Sequence, residues 1–296
     1  MKVLNYGSLN VDYVYSVDHI IIGGETQHSS KLEVFSGGKG LNQSIALAKA
    51  GVPVYHAGIV GNDGDILLEA CREAGVNTKY IRRLPVKGGH TMIQVDKNAQ
   101  NCIILYGGTN QMQTKEFVDE VLADFGEGDY LILQNEINML DYIIDQAYEK
   151  KMKIVMNPSP FDDKLSTCDL SKVYLFLVNE IEGEQITGCK DKDQILDAMA
   201  AKFPNARFVL TLGSNGAVYY DGKEKVFQDI FKVKAVDTTA AGDTFTGYFI
   251  AAAIGGRSIQ EALRMAAKAS SIAVSRPGAT PSIPRVEEVK KELGML

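Results

Sequence analysis

Between Lys115 and Leu212 the sequence alternates helical and apolar runs. Helical patterns cover Lys115 to Asp124, Leu140 to Lys150 and Ile195 to Lys202. Apolar runs cover Tyr130 to Gln134, Lys153 to Asn157, Tyr174 to Val178 and Arg207 to Leu212. Short strands that are apolar on both faces need helices on both sides, and strands joined through helices run parallel. The expected fold is therefore α/β, a doubly wound, mostly parallel sheet flanked by helices. A strand at Lys2 to Leu9, another at Val54 to Val60 with a helix at Asp65 to Ala74 after it, a β pair around Ala217 to Tyr220 and two C-terminal helices extend it. Tyr13 to Phe35 departs from this pattern, being β-branched and aromatic without helical period. Thr91 to Val95 and Cys102 to Tyr106, separated by Asp96 to Asn101, read as a hairpin. These two regions, about 13–35 and 91–106, are expected to form a small β lid on one α/β domain spanning 1–296.

Several functions are disfavoured by composition. A formal net charge of −6 argues against a broad nucleic-acid surface. No apolar run approaches the 18 or so residues of a membrane span, and the N-terminus passes directly into a strand pattern, so a cytoplasmic location is expected. Cys71, Cys102, Cys168 and Cys189 lie far apart without CxxC spacing, and the four histidines form no ligand pattern.

Five segments carry polar chemistry at strand ends, where open α/β sheets bind ligands. The first is Gly7-Ser-Leu-Asn-Val-Asp12. Ser36-Gly-Gly-Lys-Gly-Leu-Asn-Gln43 follows, at a strand-to-helix junction. Its Lys39 and Asn42 suit hydroxyls or a phosphate, yet it fits neither GxxxxGK[ST] nor GxGxxG. Asn179-Glu-Ile-Glu182 opens a helix, its acidic residues either complementing the helix dipole or orienting water on magnesium. Thr211-Leu-Gly-Ser-Asn-Gly216 suits a nucleotide or a plain hairpin. Last comes Asp237-Thr-Thr-Ala-Ala-Gly-Asp-Thr-Phe-Thr-Gly-Tyr-Phe249, preceded by a β-prone Phe231 to Val236. A small-residue turn feeding a helix offers unpaired amides to an anion. Asp243 in the first helical turn is either a dipole partner or a base beside that anion hole.

Taken together and in this order, GSLNVD, GGKGLNQS, NEIE, TLGSNG and VDTTAAGDTFTGYF resemble the ribokinase-like carbohydrate kinase family, also called PfkB, over essentially the whole chain. The resemblance implies ATP-dependent phosphorylation of a sugar's terminal hydroxyl, D-ribose to ribose 5-phosphate in first place. Another furanose, a nucleoside or a hexose, and a non-catalytic sugar-binding relative, are the alternatives. It implies Asp243 as general base and Ala240, Ala241 and Gly242 as anion hole. Asn10, Asp12, Gly38, Lys39, Asn42 and Glu136 would hold the sugar. Asn179, Glu182, Thr211, Gly213, Ser214, Gly216 and Gly242 would face ATP, with Glu182 acting on Mg2+ through water. Asp237, Thr239, Ala273, Arg276, Gly278 and Ser282 would hold an activating K+, mostly through main-chain carbonyls. Ile93 and Leu105 would lie above the sugar, and the lid would form a homodimer interface. Ile66 stands where a second glycine is often found, Gly23 where proline is frequent, and Ala267 and Lys268 where some members carry a polar ring.

Overall fold

The computed structural model describes residues 1–98 and 100–295. The chain begins with β1 (Val3–Tyr6), β2 (Asn10–Ser16), β3 (Lys31–Gly37), α1 (Lys39–Lys49), β4 (Val54–Val60), α2 (Asp65–Ala74) and β5 (Asn77–Arg83). It continues through β6 (Gly89–Val95), β7 (Asn101–Tyr106), α3 (Lys115–Leu122), β8 (Tyr130–Gln134), α4 (Leu140–Glu149) and β9 (Lys153–Asn157). Then follow β10 (Leu175–Asn179), α5 (Glu180–Thr187), α6 (Lys192–Lys202), β11 (Arg207–Thr211), β12 (Ala217–Tyr220) and β13 (Lys225–Gln228). The last elements are α7 (Ala241–Ile254), α8 (Ile259–Val274) and α9 (Val286–Glu292).

Among the described residues, nine strands form one sheet in the order β13-β12-β11-β10-β9-β8-β1-β4-β5. It is parallel apart from the antiparallel β11-β12-β13 edge. The alternation read from sequence is thus present, and its reason is visible in single strands. Successive side chains of a strand point to opposite faces. In β8, Tyr130 and Ile132 join the core beneath α1, α7 and α8, whereas Leu131 and Leu133 join the core beneath α3, α4 and α6. Both faces are covered, so a polar residue on either would be buried without water.

A separate sheet, β3-β2-β6-β7, stands in the region where a lid at about 13–35 and 91–106 is expected. Directly paired residues share a face. Asp12 pairs with Thr91 and Thr91 with Leu105, and Ile93 follows two residues on. Ile93 and Leu105 therefore share the Asp12 face of this sheet. The turn at Asp96–Asn101 includes Ala99, which lies outside the described residues.

Two expectations need correction, and two elements are additions. Phe231 to Val236 is no strand. Val236 N donates to Val274 O at 2.8 Å, so the segment lies along the end of α8 rather than on the sheet. The helix that follows the strand-to-helix junction Ser36 to Gln43 already starts inside it, at Lys39. The edge strand β5 and the short α9 were not anticipated at all.

Two helices position the rest. A Cβ on Gly247 would stand 2.4 Å from Ala46 Cβ and 3.0 Å from Ala46 C, so α7 and α1 touch backbone to backbone there. Residues three and four positions earlier lie on the same helix face. That places Asn42 and Gln43 of α1 opposite Asp243 of α7.

Candidate active site

Asp243 lies where the helix contact leads it. Its Oδ2 accepts a hydrogen bond from Asn42 Nδ2 at 3.0 Å and its Oδ1 one from Gln43 Nε2 at 2.9 Å. The carboxylate is buried, and its helix begins in the turn Thr238 to Ala240. Ala240, at the N-cap, has φ 58°, a left-handed conformation that costs an L residue roughly 1 kcal/mol. Thr238 O takes the Ala241 amide and Ala240 O takes the Thr244 amide. The Gly242 and Asp243 amides have no acceptor among the described residues. Nothing stands within 4 Å of where a Gly242 side chain would start, so a ligand can reach the main chain there.

On one side of this helix start are the residues expected for the sugar. Glu136 Oε2 accepts from Ser8 Oγ and, at 3.0 Å, from the Lys39 amide, which ties the turn after β1 to the start of α1. Burial pushes the Glu136 carboxyl up, against the Lys39 charge beside it. Burial also opposes the charge on Lys39, but Asp243, Glu136 and Glu182 outweigh it and hold the ammonium above its usual value. Asn10 Oδ1 accepts from Asn110 Nδ2 at 2.7 Å. Asn42 Oδ1 is buried with no partner among the described residues, an acceptor suited to a hydroxyl donor. Gly38 is the N-cap residue of α1.

Asp12 stands on the small sheet, its Oδ1 accepting from Thr91 Oγ1 at 2.6 Å. Burial pushes its carboxyl up to about 6; the Thr91 hydroxyl opposes the rise and the Glu136 charge adds to it. The folded protein thus holds this proton more tightly than the unfolded chain, so stability falls as pH rises from about 4 to 6. Asp12→Asn removes that penalty and keeps an acceptor for Thr91. By urea unfolding the variant should be more stable by on the order of 2 kcal/mol at pH 7.5, with the gain vanishing below about pH 4. A difference independent of pH would contradict this cause.

On the other side, two cavities adjoin along Thr211, Thr238, Ala241 and Gly242. The inner one, of about 260 Å³, is bordered by Lys39, Asn157, Asn179, Glu182 and Asp243. The outer one, of about 690 Å³, is lined by Gly213, Ser214 and Gly216 on one wall and by Phe231, Ala267 and Val274 on the other. The structure thus brings together every residue expected to face a nucleotide. Asn179 and Glu182 form a capping box: Asn179 Oδ1 accepts the Glu182 amide, while the carboxylate accepts from Asn179 N and Nδ2. Glu182 is therefore a helix cap that also borders the cavity. One hydrogen bond at each oxygen leaves lone pairs for a water of a hydrated Mg2+.

Behind the turn, Asp237 Oδ1 accepts from the Thr239 amide at 2.8 Å and Oδ2 from the Gly278 amide at 2.9 Å. Burial acts against its charge, but the Thr239 side chain and amide and the Gly278 amide prevail and hold its carboxyl below the usual range. Ala273 O accepts the Arg276 amide, and the Arg276 guanidinium pairs with Glu288, so only its main chain remains for a ligand role. Ser282 is buried, its Oγ bonded to Ala279 O at 2.7 Å. The donor set is a carboxylate with main-chain and hydroxyl oxygens, which fits a hard monovalent cation.

Sequence reasoning missed Gln43, Gln134 and Asn157 as site residues, and Phe231 and Val274 as cavity walls. Asn157-Pro-Ser-Pro160 was legible as a polar break ending an apolar strand. The two glutamines give no local signal.

Residues 1–286 match the model of the pfkB family carbohydrate kinases. The chain belongs to that family and is a carbohydrate kinase. Within it, the chain is similar to ribokinases. One from Haemophilus influenzae is 33% identical over 295 residues, covering 95% of each chain. The crystal structure of ribokinase from Thermotoga maritima superposes with a TM-score of 0.88 at 33% identity, covering 99% of both chains. Arabidopsis thaliana ribokinase, solved in complex with ribose and ATP, gives 0.86 at 29% identity over 99% of this chain and 98% of that one. No helix among the described residues is long and apolar enough to cross a membrane.

Proposed function

We propose that the chain transfers the γ-phosphoryl group of ATP to the terminal hydroxyl of D-ribose, giving ribose 5-phosphate and ADP. The observation that carries this reading is the Asp243 carboxylate, fixed at both oxygens between a polyol-sized polar set and a helix N-terminus with unpaired amides. Asp243 takes the proton from O5 as O5 attacks phosphorus, and the bond to the β-phosphate oxygen breaks with ADP leaving. Phosphoryl transfer is mostly positioning and charge stabilisation. The Gly242 and Asp243 amides, carried by the turn at Ala240 and Ala241, face the charge on the transferring group, and Lys39 adds a cation beside them. Asn10, Asp12, Gly38, Asn42 and Glu136 hold the sugar hydroxyls, since each one buried without a partner is costly. Asn179, Thr211, Gly213, Ser214 and Gly216 hold the nucleotide.

Glu182 would orient water on Mg2+, which neutralises phosphate charge when bound. Asp237, Thr239, Ala273, Arg276, Gly278 and Ser282 would hold K+, a fixed charge behind the helix start. The chain works as one domain whose lid, about 13–35 and 91–106, closes over the sugar and excludes water. The lid's far face carries exposed Val34, Met92 and Ile104 in one row with Tyr13, and we read it as a homodimer interface in a cytoplasmic enzyme.

ADP release measured across ribose, deoxyribose, fructose, adenosine and pseudouridine tests the substrate, with and without potassium. Ribose should give the highest kcat/KM, and potassium should raise it. Turnover of another substrate with silence on ribose would reject the assignment. Equal rates in potassium and in buffer free of monovalent metal ions would reject the cation role.

A further inference from the structure

Gln43 is fully buried and its amide is fully committed. Nε2 donates to Asp243 Oδ1 at 2.9 Å and to Asn157 Oδ1 at 3.1 Å, while Oε1 accepts from Gln134 Nε2 at 2.7 Å. Gln134 Nε2 also donates to Asn5 Oδ1 at 2.9 Å, and Asn5 Nδ2 donates to Gly40 O at 2.7 Å and to Ser44 Oγ at 2.8 Å. Amide ends are interchangeable in shape, so their orientation follows from partners. Here two main-chain carbonyls decide it. Gly40 O can only accept, so Asn5 turns its NH2 there and its oxygen to Gln134. Gln134 then gives NH2 to Gln43, and Gln43 is left with its NH2 toward Asp243. Independently, Leu177 O accepts Asn157 Nδ2 at 2.9 Å, which turns Asn157 Oδ1 toward the same Gln43 NH2.

We infer that Gln43 is a positioning residue for the phosphoryl transfer, its amide locked by the Gly40–Asn5–Gln134 relay so that a donor always faces Asp243 Oδ1. The inference rests on the reading of Asp243 as the base. Asn42 holds the other oxygen, but its own Oδ1 is unpartnered and its helix face opens to the sugar side, so it is free to exchange partners when a sugar enters. Gln43 has no such freedom. It keeps the carboxylate pointed while Asn42 adapts, and a donor to a carboxylate favours the charged form that a base needs. The other charged groups around Asp243 are Lys39, Glu136 and Glu182, with Asp12 beyond Glu136. His56 ends the far branch through Ser44, its ring bonded at 2.7 Å and pushed down to about 4 by burial.

The test is the kcat-against-pH profile of full-length Gln43→Met, which leaves all those groups in place, using the sugar of highest turnover and ATP. Expected is a kcat loss of about 10- to 100-fold, a sugar KM within about threefold of the parent's, and an acidic limb moved to higher pH. Gln134→Met cuts the relay one step away and should move the limb the same way by less. A kcat within about threefold of the parent's, or a loss with an unmoved limb, overturns the inference. If neither variant folds, the unaltered protein decides: the Gln43 side-chain amide protons should shift in NMR spectra with the midpoint of the acidic limb, and signals indifferent to it overturn the inference. Asp243→Asn is assayed alongside. If it keeps the parent's kcat, the base assignment falls and takes the inference with it; if it is inactive while Gln43→Met turns over normally, only the inference falls.

Discussion

Asp243→Asn should lower kcat by about a thousandfold while leaving sugar affinity within about tenfold of the parent's. The substitution keeps the volume of the side chain and one acceptor oxygen, so one of the bonds from Asn42 and Gln43 survives. The other meets an NH2 group and is lost. The polar set of Asp12, Lys39, Asn42 and Glu136 is untouched, and the helix amides still face the phosphate, so binding persists. What disappears is the acceptor for the hydroxyl proton. Isothermal titration with the sugar and single-turnover phosphoryl transfer separate the two quantities. An unchanged rate would remove Asp243 from its role, and loss of binding equal to the loss of rate would make it a sugar ligand only.

Gly40→Ala should have the largest effect on folding, on the order of 3 kcal/mol or more. An added Cβ would stand 2.3 Å from Ser8 N, 2.6 Å from Gly7 C and 2.7 Å from Gly7 Cα. All three are backbone atoms, so no side-chain rotation relieves the contact, and α1 must move away from the turn after β1. That movement also disturbs the site. Gly40 O is the anchor of Asn5, the Gly40 amide donates to Ser8 Oγ at 3.1 Å, and Ser8 holds Glu136. Chemical unfolding should show the loss of stability, and any folded fraction should turn over more slowly than the parent. A variant as stable as the parent would mean that α1 is not seated as closely as described.

The core of the fold was legible because its strands are apolar on both faces. Tyr130 to Gln134 and Arg207 to Leu212 announce themselves through composition alone, and both are interior strands of the sheet. The edge strand Asn77–Arg83 does not, since only Tyr80 is buried in it and the rest reads as polar loop. Phe231 to Val236 misleads in the opposite sense: its residues favour a strand, but the packing sets it along α8, where it walls the outer cavity. In the site, many of the residues expected from the resemblance, such as Lys39, Asn179, Gly213 and Gly242, lie at strand ends and helix starts, where polar and glycine-rich runs mark them in the sequence. Gln43 and Gln134 escaped notice for a physical reason. Their roles arise from the close contact of two helices at Gly247 and Ala46, and an amide in a helix or strand carries no local mark of the partner it will meet.

The most direct measurement is the proton-coupled ³¹P NMR spectrum of the product formed from D-ribose and ATP. Phosphate on the terminal carbon couples to two methylene protons, so a triplet from the sugar phosphate is predicted, appearing in step with ADP. A doublet, from phosphate on a carbon bearing one proton, or ADP without any sugar phosphate, would contradict transfer to the terminal hydroxyl held at Asp243.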